Sequence, residues 1–114
     1  MVLNKVTITA LLDALGLEDT RLLISIYLKS TNEAIGELST AVANADVKET
    51  AFWAHRIKGS SATLGFEDIQ EVTKKIELLA ACGSMDNIPE KAQQVPILFE
   101  EIQTTLKNNF PEYL

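Results

Sequence analysis

The sequence has few of the residues that interrupt or cross-link a chain. It contains one cysteine, three prolines and five glycines in 114 residues. The single cysteine, Cys82, cannot form an internal disulfide, which excludes a disulfide-stapled scaffold and favours a reducing compartment. So little glycine and proline also excludes a collagen-like fibre. The chain is long enough to bury a core without cross-links, although we expect Cys82 itself to be buried or half-buried.

Positive charge and long apolar runs are also scarce. The ten Lys and Arg residues face sixteen Asp and Glu residues, which gives a net charge of −6. Because a negative field repels phosphate backbones and anionic lipid, we expect no nucleic-acid partner and no membrane partner. No stretch approaches the roughly 20 apolar residues that span a bilayer. Residues 1–6 lack the features of a secretory signal, so we expect a cytoplasmic protein.

The composition that remains is typical of a globular protein. Hydrophobic residues make up 46% of the chain and charged residues 23%, which excludes a disordered tail. We expect a single domain over residues 1–114. Because the sequence begins at Met1 and carries no visible tag, we expect it to be a whole small protein.

Apolar residues recur at helical spacing throughout, without the alternation that predicts strands. The pattern predicts an all-α fold, an antiparallel up-down four-helix bundle with a short additional N-terminal helix. The predicted helices are Thr9–Leu15, Thr20–Ala43, Val47–Leu64, Glu67–Cys82 and Ile88–Asn108.

Local signals set most of these boundaries. Gly16 is placed to stop the first helix, and Asp19 to cap the second. Asp46, with a glutamate three residues on, predicts the start of the third, and Gly65 its end. Pro96 predicts a kink or a late start in the last helix.

The single histidine, His55, lies within the third predicted helix. At about 100° per residue, Trp53, Ile57 and Leu64 fall together on the core side. His55 lies nearly opposite, so we expect its side chain to face solvent in the middle of a packed helix.

The residues around His55 form an unusual outer face. Lys58, Gly59 and Ala62 surround it, and Phe52 leans to the same side. A glycine in mid-helix costs about 1 kcal/mol relative to alanine, and close approach of a partner is one reason to keep it. Each feature alone has an ordinary explanation as helix surface or packing. Together they favour a functional imidazole.

The string His55-x-x-Lys58-Gly59-Ser60-Ser61-Ala62-x-x-Gly65 resembles the signature of histidine-containing phosphotransfer (HPt) domains, the intermediate carriers of multistep two-component signalling. The resemblance extends back to Asp46 and forward to Ile76-Glu77-Leu78-Leu79. The glycine-rich ATP-binding boxes of a histidine kinase are absent. The resemblance therefore implies a phosphocarrier without kinase or ATPase activity of its own.

The resemblance also implies roles for individual residues. Nε2 of His55 would accept a phosphoryl group from the aspartyl phosphate of a response-regulator receiver domain and pass it to another receiver. Lys58 would stabilise the phosphoryl charge, and Gly59 would give the receiver steric access. The chain would need no cofactor of its own, since Mg²⁺ would come from the receiver. A hybrid sensor histidine kinase would be a further partner, and we expect a monomer because the active face must stay open.

Two sets of residues keep open interpretations. Glu77 matches the position of the group that accepts the Nδ1 proton in similar domains, or it is an ordinary exposed glutamate. Residues that would dock the receiver are Phe52, Ala51, Ala62, Leu28 and Ile35, although the apolar ones among them could instead pack within the bundle.

Two other functions are compatible with a helical bundle. The chain could be a non-catalytic helical interaction module that binds or sequesters a signalling partner without using its histidine. A hydrolase with His55 as the base is disfavoured, because the sequence offers no plausible nucleophile or oxyanion hole.

Overall fold

The computed structural model describes residues 5–113, which form an all-α chain. Its elements are α1 (Lys5–Ala43), α2 (Val47–Leu64), α3 (Glu67–Ala81), α4 (Ile88–Asn109) and a 3₁₀ turn (Pro111–Tyr113). No strand occurs among these residues, which confirms the predicted fold class. None of these helices combines the length and apolarity needed to cross a bilayer. Residues 1–4, part of the segment assessed above for a secretory signal, lie outside the described residues.

α1 is interrupted at Gly16, which separates a short N-terminal rod from the first long helix of the bundle. Gly16 has φ 83° and ψ 171°, a combination that is essentially confined to glycine because it has no Cβ. The helix resumes directly after this residue, so the predicted start at Thr20 is wrong by three residues. Asp19 consequently lies inside the helix and not at its cap.

The helix that carries His55 has the predicted bounds. Asp46 caps its start, because Oδ1 accepts a hydrogen bond of 3.1 Å from the backbone N–H of Glu49. The carboxylate of Glu49 does not complete the capping box; it accepts a hydrogen bond of 3.0 Å from Nε1 of Trp53. Gly65 ends the helix in the left-handed conformation, with φ 75° and ψ 27°, as helix termination by glycine requires.

The last two helices differ slightly from the prediction. α3 ends at Ala81, and α4 continues through Pro96 to Asn109, so a late start at the proline is excluded. Cys82 is exposed, which corrects the expectation of burial. It follows the last turn of α3, where the backbone leaves the helix at Gly83 with φ 77°.

The four long helices pack around one core. α2 lies between α1 and α3, and α4 closes the bundle against the same two helices. Ile8 of the N-terminal rod also reaches this core. The most deeply buried apolar side chains come from all four helices: Ile24, Leu38, Ile57, Leu64, Ile69, Ile76, Ile88, Val95, Ile102 and Leu106.

A buried hydrogen bond fixes α2 against α1. The hydroxyls of Tyr27 and Ser61 lie 2.9 Å apart, so Ser61 pairs across the helices and does not bond to its own preceding turn. The Tyr27 ring packs at centroid distances of 5.0 Å from Phe66 and 6.3 Å from Phe99. Burial raises the pKa of Tyr27 to about 12, so its hydroxyl stays neutral and can hold this contact across the physiological range.

The two aspartates distinguish the observed helix starts from the predicted ones. We expect Asp46→Ala to lower the free energy of unfolding by about 1 kcal/mol, because it removes the cap of α2. Asp19→Ala should change it by less than about 0.5 kcal/mol, because Asp19 is exposed and caps nothing. Urea unfolding followed by circular dichroism measures both. Equal losses of unfolding free energy in the two variants would contradict the assigned start of α2 or that of the long helix after Gly16.

Candidate functional site

His55 projects outward from the middle of α2. The residues of this helix that face the core are Thr50, Ala54, Ile57, Ser61 and Leu64. The side chain of His55 lies on the opposite face and is 64% exposed, which confirms the predicted orientation. Trp53 is only half-buried, so it borders the core and does not lie within it.

α3 brings Glu77 to the imidazole. Ile76 and Ala80 of α3 are buried in the core, and Glu77, next to Ile76 in the sequence, lies at the edge of α3 that faces α2. Its Oε2 is 2.5 Å from Nδ1 of His55. Of the two interpretations of Glu77, the structure therefore favours the contact with the imidazole.

Lys58 reaches the other oxygen of the same carboxylate. It follows His55 by one helical turn, and its Nζ donates a hydrogen bond of 2.5 Å to Oε1 of Glu77. The Lys58 side chain is 28% exposed and that of Glu77 is 23% exposed. The carboxylate is thus shared between two donors in a partly desolvated position, which strengthens both contacts relative to bulk water.

This sharing determines the proton positions. Partial burial by itself raises the pKa of the Glu77 carboxyl, but the hydrogen bonds and positive charges of Lys58 and His55 outweigh it and hold the pKa below the usual 4.5. Glu77 is therefore ionised at neutral pH and can only accept hydrogen bonds. Nδ1 of His55 must therefore carry a hydrogen, so in the neutral imidazole the lone pair lies on Nε2.

The face beside the imidazole is open. Gly59 and Ala62 are both exposed. A Cβ placed on Gly59 would meet no atom within 4 Å, so no contact within the described residues requires glycine there. The space above this stretch of α2 is available to a second molecule.

An aromatic and basic cluster borders the site on the side towards α1. The rings of Phe52 and Trp53 meet edge to face at 5.0 Å. The guanidinium carbon of Arg56 lies 5.6 Å from the Phe52 centroid and 5.5 Å from that of Trp53, which orders the arginine by cation–π contact. Phe52 remains 49% exposed, a large apolar surface next to the imidazole.

Three of the other predicted docking residues are buried or half-buried. Ile35 lies in the core and is 8% exposed, so its assignment to the docking surface is wrong. Leu28 and Ala51 are half-buried and pack against the core. At helical spacing, α1 carries two adjacent apolar stripes: Leu23, Tyr27, Ala34, Leu38 and Ala41 form one, and Ile24, Leu28 and Ile35 form the other. This helix contacts both α2 and α4, and therefore buries a wider arc than one neighbour requires.

Two exposed apolar residues on α1 were missed by the sequence analysis. Leu22 and Ile26 are 58% and 55% exposed, although Ile24 between them is fully buried. They are four residues apart, so they share one helix face. Their position outside both core stripes was the signal that could have identified them.

Within residues 5–113, no group of three or more His, Cys, Asp or Glu side chains is arranged to hold a metal ion. His55 and Glu77 are two potential ligands that meet. The carboxylate of Glu77 also contacts the ammonium of Lys58, whose positive charge disfavours the binding of a metal cation there.

The shared carboxylate gives stability a defined pH dependence. Because the pKa of Glu77 is lower in the folded chain than the usual 4.5, the unfolded chain binds its proton first as the pH falls. The stabilisation is complete above about pH 4.5 and is lost as the pH falls through the folded value. We expect the free energy of unfolding of the wild-type protein to exceed that of Glu77→Gln by up to about 1 kcal/mol near pH 7. Near pH 3 the difference should be smaller.

Urea unfolding at both pH values tests this expectation. Glu71→Gln, on an exposed position of α3, removes the same charge without removing the contact and should show a smaller dependence. A difference between wild type and Glu77→Gln that is independent of pH would contradict the lowered pKa.

Comparisons with known proteins identify the fold and the family of this chain. The curated phosphorelay intermediate protein rdeA of Dictyostelium discoideum is 32% identical over 85 residues, which cover 75% of this chain but only 32% of that protein. The crystal structure of histidine-containing phosphotransfer protein B from Pseudomonas aeruginosa PAO1 matches with a TM-score of 0.88 and 20% identity, covering 93% of this chain and 91% of the other. The Hpt domain family model matches residues 22–105, and the chain belongs to that family.

Proposed function

We propose that this protein is a phosphorelay intermediate that carries a phosphoryl group on Nε2 of His55. The observation that carries the proposal is the asymmetric state of the ring. Nδ1 is held by Glu77 at 2.5 Å, so the neutral imidazole has its lone pair on Nε2, on a side chain that is 64% exposed. Family membership supports the same assignment.

The reaction is an in-line displacement at phosphorus. The lone pair of Nε2 forms the N–P bond while the P–O bond to the aspartyl group of a receiver breaks, and the electron pair leaves with the aspartate carboxylate. The reverse displacement transfers the group to the aspartate of another receiver. Such transfers depend on positioning and charge neutralisation more than on covalent chemistry.

Two neighbours serve this step. Lys58 carries a positive charge one turn from His55, where it can neutralise charge on the phosphoryl oxygens. Gly59 leaves the space beside the ring open to the receiver, because it has no side chain and no neighbouring helix or side chain of the described residues fills that space.

The partners of the proposed reaction are response-regulator receiver domains and a hybrid sensor histidine kinase. Mg²⁺ would be bound in the acidic pocket of the receiver. The chain would act as a monomer, because a second copy on the face of His55 would block the receiver.

The receiver would dock on the outer faces of α2 and α1. Phe52 and Ala62 contribute exposed surface from α2, and Leu22 and Ile26 extend it along α1. Tyr27 bonds to Ser61, so Ile26 lies beside the C-terminal half of α2. At 1.5 Å per residue, Ser61 and the neighbouring Ile26 are about 10 Å along the helix axis from His55. Ile26 and His55 can therefore lie in one patch of roughly 800 Å², the area that one partner buries in a standard interface.

The proposed function is tested by phosphoryl transfer to His55. The protein is mixed with phosphorylated receiver domains, and we expect an acid-labile, alkali-stable phosphate on the chain. His55→Gln should abolish this label while its circular dichroism spectrum stays helical, because glutamine offers no nucleophilic ring nitrogen. Labelling that survives the substitution would remove His55 from the reaction. No labelling of wild type by any receiver, with binding intact, would favour a non-catalytic interaction module.

The docking surface is tested by removing one aromatic side chain. We expect Phe52→Ala to weaken binding of the receiver about tenfold, because exposed aromatic anchors near the centre of an interface contribute about 1 kcal/mol or more. Ile97→Ala is the matched control, since Ile97 is an exposed apolar residue on α4. Titration calorimetry measures both. An equal effect of the two substitutions would contradict the proposed surface.

A further inference from the structure

Both oxygens of Glu77 accept a hydrogen bond. Oε2 faces Nδ1 of His55, and Oε1 faces Nζ of Lys58, each at 2.5 Å. A carboxylate can accept from both donors, whereas an amide has one accepting oxygen and a nitrogen that would face the second donor. The observed bridge therefore requires a carboxylate, and with it a negative charge beside the imidazole.

We propose that Glu77 keeps the proton on Nδ1 after His55 is phosphorylated, and thereby sets the upper limit of the pH range in which the phosphoryl group is released. The inference rests on the proposed function, since it concerns the phosphorylated state of the same ring. Glu77 acts here through His55, so it is a positioning residue that also supplies charge.

The charge balance of the step explains the need for this proton. When Nε2 forms the N–P bond, no proton leaves, so the ring keeps its hydrogen on Nδ1 and gains one positive charge. On release, the N–P bond breaks and its electron pair returns to Nε2, which restores neutral imidazole. If Nδ1 loses its proton first, the leaving group becomes imidazolate, a much stronger base that departs far more slowly.

Glu77 opposes the loss of that proton. An ionised carboxylate in contact with Nδ1 stabilises the positive ring and accepts its hydrogen bond. Lys58 supports this role indirectly, because its ammonium stabilises the ionised carboxylate and so keeps Glu77 from competing for the proton.

The other charged groups near α2 do not replace Glu77. On α2 itself, Arg56 lies over the rings of Phe52 and Trp53. From α1, Glu33 and Glu37 line a cavity of about 360 Å³ together with Arg56, on the side of α2 away from Lys58. Among the described residues, Glu77 of α3 is the one carboxylate in contact with His55.

The experiment follows the ring nitrogens of phosphorylated protein. Full-length chain labelled with ¹⁵N is phosphorylated with phosphoramidate, a small phosphoryl donor that needs no receiver. The pH at which the phosphorylated ring loses its Nδ1 proton is then read from the histidine ¹⁵N shifts. We expect this midpoint to be about one unit or more lower in Glu77→Gln than in wild type, the effect of removing an opposite charge in direct contact.

Two further variants isolate the cause. Glu71→Gln changes the net charge of the chain equally and should leave the midpoint unchanged. Glu77→Asp keeps the charge and should give a midpoint above that of Glu77→Gln. In parallel, the rate of transfer from phosphorylated chain to a receiver should begin to fall at lower pH in Glu77→Gln than in wild type.

The outcomes separate the two levels of the proposal. If wild type and Glu77→Gln form phosphohistidine with the same midpoint, the inference is wrong and the proposed function stands. If Glu71→Gln moves the midpoint as far as Glu77→Gln, the effect is one of net charge and the inference is again wrong. If neither phosphoramidate nor any receiver phosphorylates His55 in wild type, the proposed function fails and the inference fails with it.

Discussion

The geometry of the candidate site depends on one carboxylate that is shared between two donors. Glu77 receives hydrogen bonds from His55 and Lys58, and this arrangement determines which imidazole nitrogen carries hydrogen. Because Glu77 is only partly desolvated, the ion pair with Lys58 adds little to global stability. Its main effect is local: it holds a flexible lysine and a mobile ring in defined positions on an otherwise exposed surface.

The bundle provides the rigidity that this arrangement needs. α2 is capped at its start by Asp46, ended by Gly65 and fixed to α1 through the buried pair of Tyr27 and Ser61. The core residues of α2 face inward at helical spacing, so the opposite face must project into solvent. The exposure of His55 is thus a consequence of how thoroughly the other side of its helix is buried.

The sequence predicts the parts of the structure that depend on local chemistry. The bounds of α2 follow from a capping aspartate and a terminating glycine, and the outward position of His55 follows from helical periodicity. The start of the first long helix was missed because Gly16 alone breaks the chain, and the residues after it, including Asp19, are compatible with helix. Local signals do not show that one glycine interrupts the helix by itself, with no loop residues after it.

The features that were not predictable depend on which helices are neighbours. Ile35 was assigned to a docking surface, but α1 packs against two long helices and buries this residue in the core. The contact between His55 and Glu77 joins residues 22 positions apart. Helical phase at 100° per residue leaves it open whether such side chains touch, so both interpretations of Glu77 remained until the register of α2 and α3 was known.

That register is set by the two-residue connection at Gly65 and Phe66. Gly65 reverses the chain in the left-handed conformation and Phe66 is buried in the core, so this short connection leaves α3 little freedom to shift against α2 and holds Glu77 level with the imidazole. The six residues between α3 and α4 position no group of the site. The length of the second connection can therefore differ without moving His55 or Glu77, whereas the length of the first is part of the geometry that brings these two residues together.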